Sequence, residues 1–259
     1  ASNLGAILAD IVAKTVGINA YIVDPVVVDE MADVARLTGL PQIKRLSLFH
    51  ALNQKAMGRE AAKALNKDYK YCNFIIAHLG AGISIGMHQM GSVVDVNNGL
   101  NGDGPFSPER AGTIPAWSLV EMATSGKYTI AELKKMLTGK GGLVAHLGIN
   151  DLRDVIKRID SGDKHATLVY EAMAYNIAKE IGSFAPVVSG KLDAIVLSGG
   201  LAYNEGFIEL IKNRIEFLAP VLVFPGEDEM GALAKGVLRV LKGEEEAKVW
   251  KYNPKTAVL

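Results

Sequence analysis

The spacing of hydrophobic side chains divides this chain into segments of helical period and segments of strand period. The first stripe predicts a helix packed on one side, and it consists of Leu4, Ile7, Leu8, Ile11 and Val12. A short apolar run over residues 20–23 predicts a strand that ends at Asp24-Pro25. Helical spacing returns over about residues 46–65. The chain is therefore expected to begin with helices around one short strand.

The period changes to that of strands in the next segment. Strands are predicted over residues 74–79, 83–87 and 92–96, and the two turns between them contain Gly80-Ala81-Gly82 and Gln89-Met90-Gly91. Two tight turns over so few residues predict an antiparallel meander of three strands.

The second half of the chain alternates helices with strands. An irregular segment rich in Gly, Pro and Asn covers residues 97–115. The predicted helices then cover about residues 116–125, 129–137, 151–160, 165–184 and 205–217, with a last one from Met230 to Leu241, and the predicted strands cover 194–197 and 221–224. A meander followed by alternating helices and strands predicts an α/β domain with a mixed sheet.

Composition narrows the possible functions. The chain has 28 basic and 28 acidic side chains, so a nucleic acid or an anionic membrane surface is not an expected partner. Hydrophobic residues make up 49% of the chain, which excludes disorder. The single cysteine, Cys72, allows no internal disulfide and is expected to be a buried, inert thiol. No predicted membrane helix and no signal peptide are found, so we expect a cytoplasmic location.

Two glycine-rich segments are candidates for phosphate chemistry. His78-Leu79-Gly80-Ala81-Gly82 lies at a turn between strands, where glycines expose backbone N–H groups to a phosphate. A tight hairpin beside a core histidine is the alternative. Gly199-Gly200 follows a strand and precedes a helix, as in many nucleotide sites, although glycine pairs after strands are common.

Two further segments carry charged side chains. Arg110 lies in the irregular segment, where its planar guanidinium could hold a carboxylate or a phosphate. An ordinary ion pair with Glu109 or Asp103 is the alternative. Asn150-Asp151 precedes a predicted helix, and capping of that helix is the default interpretation.

Taken in order along the chain, these motifs resemble those of the acetokinase family, the acetate and butyrate kinases of the sugar kinase, heat-shock and actin ATPase superfamily. The resemblance covers essentially all 259 residues. The segment from Asp95-Val96-Asn97-Asn98-Gly99 through Gly104-Pro105-Phe106 to Arg110 resembles the butyrate kinase form of a family motif. The resemblance implies an actin-like, ribonuclease H-like ATPase domain of mixed sheet with helices on both faces.

The resemblance also implies roles for individual residues. It assigns Arg110 and His50 to the transferring phosphoryl group, and Asp24 to catalysis or to a metal. The residues it assigns to the nucleotide are His78, Gly80, Gly82, Asp151, Leu152, Arg153, Gly199, Gly200, Leu201 and Asn204. The metal-associated carboxylates would be Asp24 with Asp228 or Glu229, and the cofactors ATP or ADP with Mg²⁺.

The chain departs from the family in several places. Gln54 stands where acetate kinases have a second histidine, and Ala202 and Tyr203 stand where they usually have Gly and Glu. The family's opening strands with their first phosphate loop are absent. We therefore interpret residues 1–24 as a remnant of a first actin-like domain, 25–226 as the second domain, and 227–259 as a helix and tail that return toward the first.

The resemblance implies a reversible kinase that transfers a phosphoryl group from ATP to a short-chain carboxylate, butyrate in the first place. Acetate or propionate kinase activity is one alternative, and a nucleotide-binding or assembly module without turnover is another. Because each domain of the superfamily supplies one phosphate loop, we expect residues 1–259 alone to show little activity. A homo-oligomer is implied as well. The apolar stripes Leu4–Val12 and Met230–Leu241 should pack on each other, pack on a partner chain, or stay exposed.

Overall fold

The computed structural model describes residues 2–101 and 103–249. In this part of the chain the helices are α1 (Ser2–Val16), α2 (Asp33–Arg36), α3 (Ala51–Ala64), α4 (Ala116–Thr124), α5 (Ile130–Leu137), α6 (Gly142–Leu147), α7 (Leu152–Asp160), α8 (Lys164–Phe184), α9 (Glu205–Ile215) and α10 (Glu229–Leu241). The strands are β1 (Asn73–Leu79), β2 (Ile83–Gln89), β3 (Ser92–Val96), β4 (Ala194–Gly199) and β5 (Val221–Pro225). The predicted meander and the alternation that follows it are confirmed.

The five strands form one mixed sheet in the order β3-β2-β1-β4-β5. β1 is antiparallel to β2 and parallel to β4, and β5 is parallel to β4. The register pairs His78 of β1 with Ser84 on one side and with Ser198 on the other. Polar residues from three neighbouring strands thus lie side by side at the edge where the parallel strands end.

Helices cover both faces of the sheet, as the predicted fold class requires. On one face, Ile75, Ala77 and Leu79 of β1 belong to the larger apolar cluster, which also contains residues of α8 and α9. On the other face, Phe74 and Ile76 belong to a smaller cluster with residues of α3. The alternation of β1 side chains between two apolar clusters explains why this strand reads as a continuous hydrophobic run.

The irregular segment 97–115 is held against the sheet by buried hydrogen bonds. Asn97 accepts from the backbone N–H of Ile85 at 2.6 Å and donates to the carbonyl oxygen of Ile83 at 3.2 Å. Ser107 donates to the carbonyl oxygen of Ala81 at 2.6 Å and accepts from the backbone N–H of Arg110 at 3.1 Å. These hydrogen bonds hold the loop against the turn between β1 and β2, so Arg110 lies at the edge of the sheet.

Several features differ from the predictions. The helix expected over about residues 46–65 begins only at Ala51. Residues 20–23 form no strand, because Val23 packs against Gly236 of α10 instead of joining a sheet edge. The short helices α2 and α6 were not predicted, since each covers fewer than two turns. Cys72 is fully buried, as expected.

The two apolar stripes at the ends of the chain are largely exposed. Every large apolar side chain of α1 from Leu4 to Val16 is more than half exposed, and Met230, Leu238 and Leu241 of α10 are exposed as well. The two stripes therefore do not bury each other within the described residues. No helix among them is long and apolar enough to cross a membrane.

Candidate functional site

Two histidines stack at the edge of the sheet. His50 immediately precedes α3 and His78 lies on β1, and their ring centroids are 3.9 Å apart with an interplanar angle of 24°. Burial, together with the charge of Arg110, lowers the pKa of His50 to about 4. Burial, together with His50, lowers the pKa of His78 to about 3. Both rings are therefore neutral at pH 7.

The tautomer of His78 follows from its hydrogen bonds. Its Nδ1 lies 3.0 Å from Oδ1 of Asn53, and Ser198 Oγ donates to the same amide oxygen at 2.8 Å. With the oxygen of the Asn53 amide facing His78, Nδ1 of His78 carries the proton, because an amide oxygen can only accept. Its Nε2 is left with a lone pair and lies 3.5 Å from a carboxylate oxygen of Glu227. With His78 neutral this contact is not an ion pair, and burial raises the pKa of Glu227.

Arg110 brings the positive charge of the site. Its guanidinium lies against Gly82, where a Cβ would overlap Nη1. Nε donates to the carbonyl oxygen of Leu100 at 3.3 Å, and Nη1 is buried with no hydrogen-bond partner in the described residues. Neither alternative ion pair is seen there, since Glu109 accepts from Asn150 and the buried Oδ1 of Asp103 has no hydrogen-bond partner in the described residues. A buried guanidinium N–H without a partner fits an anionic ligand.

Two turns frame the same edge. The backbone N–H of Gly80 donates to the carbonyl oxygen of Gly82 at 3.2 Å, which closes the turn after β1. Gly199 ends β4 with φ +90°, and a Cβ there would lie 2.5 Å from the carbonyl oxygen of Leu79. A Cβ on Gly200 would meet nothing within 4 Å. Gly199 is thus required by packing, whereas Gly200 faces open space beside the turn.

Several predicted nucleotide residues have structural partners. Asp151 caps α7 by accepting from the backbone N–H of Arg153 at 2.9 Å and also forms an ion pair with its side chain, so the capping interpretation is confirmed. Asn204 caps α9 by accepting from the N–H of Phe207 at 2.7 Å and from the hydroxyl of Tyr170 at 3.0 Å. The side chains of Leu152 and Leu201 are buried.

Two of the predicted metal carboxylates, Asp24 and Asp228, line one cavity together with Leu52 and Arg59. Asp24 has φ +39° and lies 3.7 Å from both Lys55 and Arg59, which belong to α3. Burial raises the pKa of Asp24 despite these two cations. Asp228 caps α10 by accepting from Gly231, and Glu229 is the first residue of that helix. No group of three or more His, Cys, Asp or Glu arranged to hold a metal is found within the described ranges.

The structure adds residues that sequence reasoning missed. They surround the stacked histidines and are Asn53, Gln54, Ser84, Ser198 and Glu227. Ser84 stands between Ile83 and Ile85, and Ser198 follows the apolar run 194–197, so a polar residue in or next to an apolar strand was the available signal. The sequence signal at Gln54 is that it stands where acetate kinases have a second histidine, and this signal does not indicate its hydrogen bonds.

A family model and a relative each match most of this chain. The family model described as "Acetokinase family" matches residues 19–222. "Butyrate kinase 2" of Clostridium acetobutylicum is 53% identical over 251 residues, which cover 97% of this chain and 70% of that protein.

Solved structures agree in fold. A crystal structure of Porphyromonas gingivalis acetate kinase is similar with a TM-score of 0.72 at 22% identity, covering 80% of this chain and 60% of that one. A propionate kinase from Francisella tularensis gives a TM-score of 0.69 at 24% identity, with coverages of 78% and 59%. The chain therefore spans about three fifths of these structures, and at such identities they show a shared fold.

Proposed function

Because this chain belongs to the acetokinase family, we propose that it supplies the phosphoryl-transfer surface of a kinase that acts from ATP on a short-chain carboxylate. Butyrate is the acceptor we favour, since the 53% identical relative carries the name of a butyrate kinase. The observation that supports the reaction class is the buried Nη1 of Arg110, next to two neutral imidazoles and a glycine turn. We also expect a homo-oligomer.

The chemistry needs alignment and charge stabilisation. A carboxylate oxygen of the acceptor attacks the γ-phosphorus of ATP, a new P–O bond forms, and the bond to the β-phosphate oxygen breaks to release ADP. The acceptor is already ionised at pH 7, so no general base is required. Arg110 would hold the charge that spreads over the transferring phosphoryl oxygens, and His50 would donate a hydrogen bond to it.

Magnesium would arrive on the nucleotide. Mg²⁺ is commonly held by substrate phosphates, waters and one or two carboxylates, so the lack of a three-residue cluster in the described part of the chain fits this arrangement. Glu227 is the carboxylate nearest His78, whereas Asp24 is faced by Lys55 and Arg59. We infer that Glu227, more than Asp24, Asp228 or Glu229, assists the ion, which neutralises phosphate charge when bound.

The adenosine part of ATP would lie over the turn that follows β4. We expect Gly200→Ala to raise the KM for ATP roughly tenfold, a loss of about 1.4 kcal/mol in binding. The added methyl group would project into the open space beside the turn and would touch no protein atom within 4 Å. The melting temperature should therefore stay unchanged.

The matched control for this prediction is Gly182→Ala on α8, where a Cβ also meets nothing within 4 Å. Initial rates at varied ATP concentration give the KM of each variant, and thermal unfolding gives its stability. A Gly200→Ala variant with the KM of the wild type would remove this turn from the proposed nucleotide site.

The acceptor is tested by comparing kcat/KM for acetate, propionate, butyrate and isobutyrate on the complete gene product. We expect the highest value for butyrate. A preference for acetate or propionate would favour the alternative kinase. Calorimetry that shows ATP binding without acyl phosphate formation would favour the nucleotide-binding module without turnover.

A further inference from the structure

A row of five polar side chains runs from the stacked histidines into the interior between α3 and β2. Its hydrogen bonds join Tyr69 OH to His88 Nδ1 at 2.6 Å and His88 Nε2 to Gln54 Oε1 at 3.0 Å. They continue from Gln54 Nε2 to Ser84 Oγ at 2.9 Å and from Ser84 Oγ to His50 Nδ1 at 2.8 Å. Gln54, Ser84 and His88 are fully buried, so water does not interrupt the row.

The direction of hydrogen-bond donation along the row is fixed by the orientation of the Gln54 amide. The backbone carbonyl oxygen of Ser84 lies 3.0 Å from Nε2 of Gln54. A carbonyl oxygen can only accept, so the NH₂ end of the amide must face Ser84 and its oxygen must face His88. The opposite orientation would place two acceptors in contact in a buried setting, which costs free energy.

The orientation of the Gln54 amide also determines which ring nitrogen of His50 carries the proton. Ser84 Oγ accepts from the amide of Gln54 and from the backbone N–H of His50 at 3.3 Å. With both lone pairs of the hydroxyl occupied, its own proton points to Nδ1 of His50. Nδ1 is therefore an acceptor, and the proton of the neutral ring must be on Nε2.

The far end of the row is consistent with the same direction. The amide oxygen of Gln54 requires a proton on Nε2 of His88, which leaves Nδ1 of His88 to accept from the hydroxyl of Tyr69. Burial lowers the pKa of His88 and raises that of Tyr69, so His88 is neutral and the phenol keeps its proton. Each donor in the row thus meets one acceptor.

The strand leaves room for this amide. Ser84, Gly86 and His88 alternate along β2 on the face toward α3, and a Cβ on Gly86 would lie 2.6 Å from Oε1 of Gln54. The glycine in the middle of the strand is thus the gap that the amide fills. Because Gly86 has no side chain, the amide of Gln54 packs directly against the backbone of β2.

We propose that Gln54, Ser84, His88 and Tyr69 are positioning residues that hold the proton of His50 on Nε2, so that a neutral imidazole donates to the transferring phosphoryl group. This inference rests on the proposed function and deepens it. A ring with its proton on Nδ1 would turn a lone pair toward the phosphoryl oxygens and repel them. The hydrogen-bond partner of Nδ1 thus determines whether Nε2 donates or accepts a hydrogen bond.

The tautomer can be measured directly in the wild-type protein. Nitrogen-15 NMR of the histidine-labelled complete protein distinguishes the protonated ring nitrogen from the bare one, and the His50 signals are identified by their loss in His50→Asn. We expect His50 to be neutral with its proton on Nε2 between pH 6 and pH 8. A proton on Nδ1 would overturn the proposal. The measurement needs no substrate, so its result is independent of whether the protein proves to be a carboxylate kinase.

The kinetic test uses Ser84→Ala. Removing the hydroxyl frees Nδ1 of His50, so we expect a mixture of tautomers and a kcat reduced by roughly 10- to 100-fold, with the KM for ATP within about twofold. Ser47→Ala is the matched control, because Ser47 is also buried and donates to a backbone carbonyl oxygen, that of Val28, at 2.7 Å. The control should keep both the wild-type tautomer and the wild-type kcat.

Two results of this test would overturn the proposal. One is a Ser84→Ala protein that keeps the Nε2 proton and the kcat of the wild type. The other is a Ser47→Ala protein that loses as much kcat as Ser84→Ala, because the effect would then come from lost stability. If Ser84→Ala does not fold, the wild-type NMR measurement still decides.

Discussion

Replacing Arg110 with alanine lowers kcat for carboxylate phosphorylation by about 10³-fold, the range expected when an arginine that stabilises a phosphoryl transition state is lost. The fold should survive, because the guanidinium makes one weak hydrogen bond, to Leu100, and leaves Nη1 without a partner in the described residues. Steady-state kinetics and thermal unfolding of the complete gene product measure the two effects separately.

Arg36→Ala is the control for this result. Arg36 makes two hydrogen bonds of 2.7 Å to Asp29 and lies outside the candidate site, so its loss should affect stability more than turnover. An Arg110→Ala protein that turns over like the wild type would remove Arg110 from the transfer step and would leave the proposed reaction without its central charge.

The second large effect is expected from Gly82→Ala, with kcat lowered by about 10²-fold, the scale of a misplacement near 1 Å. A Cβ at this position would overlap Nη1 of Arg110, and the nearest backbone atom is the carbonyl oxygen of Gly99 at 3.1 Å. The flexible arginine can move aside more easily than the backbone can, so the protein should fold with its guanidinium displaced.

A double-mutant cycle tests this mechanism. In the Arg110→Ala background, adding Gly82→Ala should cost little further activity, because the displaced group is already gone. Gly182→Ala serves as the control for an added methyl group in open space. Additive losses in the double variant would show that Gly82 acts independently of Arg110.

The sheet was predictable because its signals are local. Three short apolar runs separated by two glycine turns place the meander over β1, β2 and β3, and the strand-helix alternation after it places β4 and β5. The order of these elements indicates the fold class, and the family resemblance supplies His50 and Arg110 as candidates. Their proximity, seen in the influence of Arg110 on the pKa of His50, required coordinates.

The partners of the stacked histidines could not be predicted in the same way. Gln54 and Ser84 are 30 positions apart, and their hydrogen bond exists only because α3 packs on the sheet beside β1. Glu227 follows β5, yet it reaches His78 because β4 and β5 extend the sheet beside β1. Contacts of this kind depend on strand order and helix placement, which a single sequence does not encode locally.

Residues 20–23 show the opposite failure, in which a local signal was misleading. Four apolar residues suffice to suggest a strand, but a strand needs a neighbouring edge to satisfy its backbone. In the structure Val23 contacts α10 at Gly236, and Asp24 turns the chain with a positive φ toward Lys55. Apolar character therefore indicated a packing contact at Val23 correctly and the secondary structure wrongly.

The polar face of β2 also bears on how the protein finds a unique fold. Ile83, Ile85 and Met87 are similar in size, so a shift of β2 by two residues would keep the opposite, apolar face buried at little cost. The same shift would separate Ser84 and His88 from Gln54 and bring a side chain to the gap at Gly86. A Gln54→Leu chain would bury more apolar surface. It would also lose the hydrogen bonds to Ser84 and His88, which favour the native register of β2 over the register shifted by two residues.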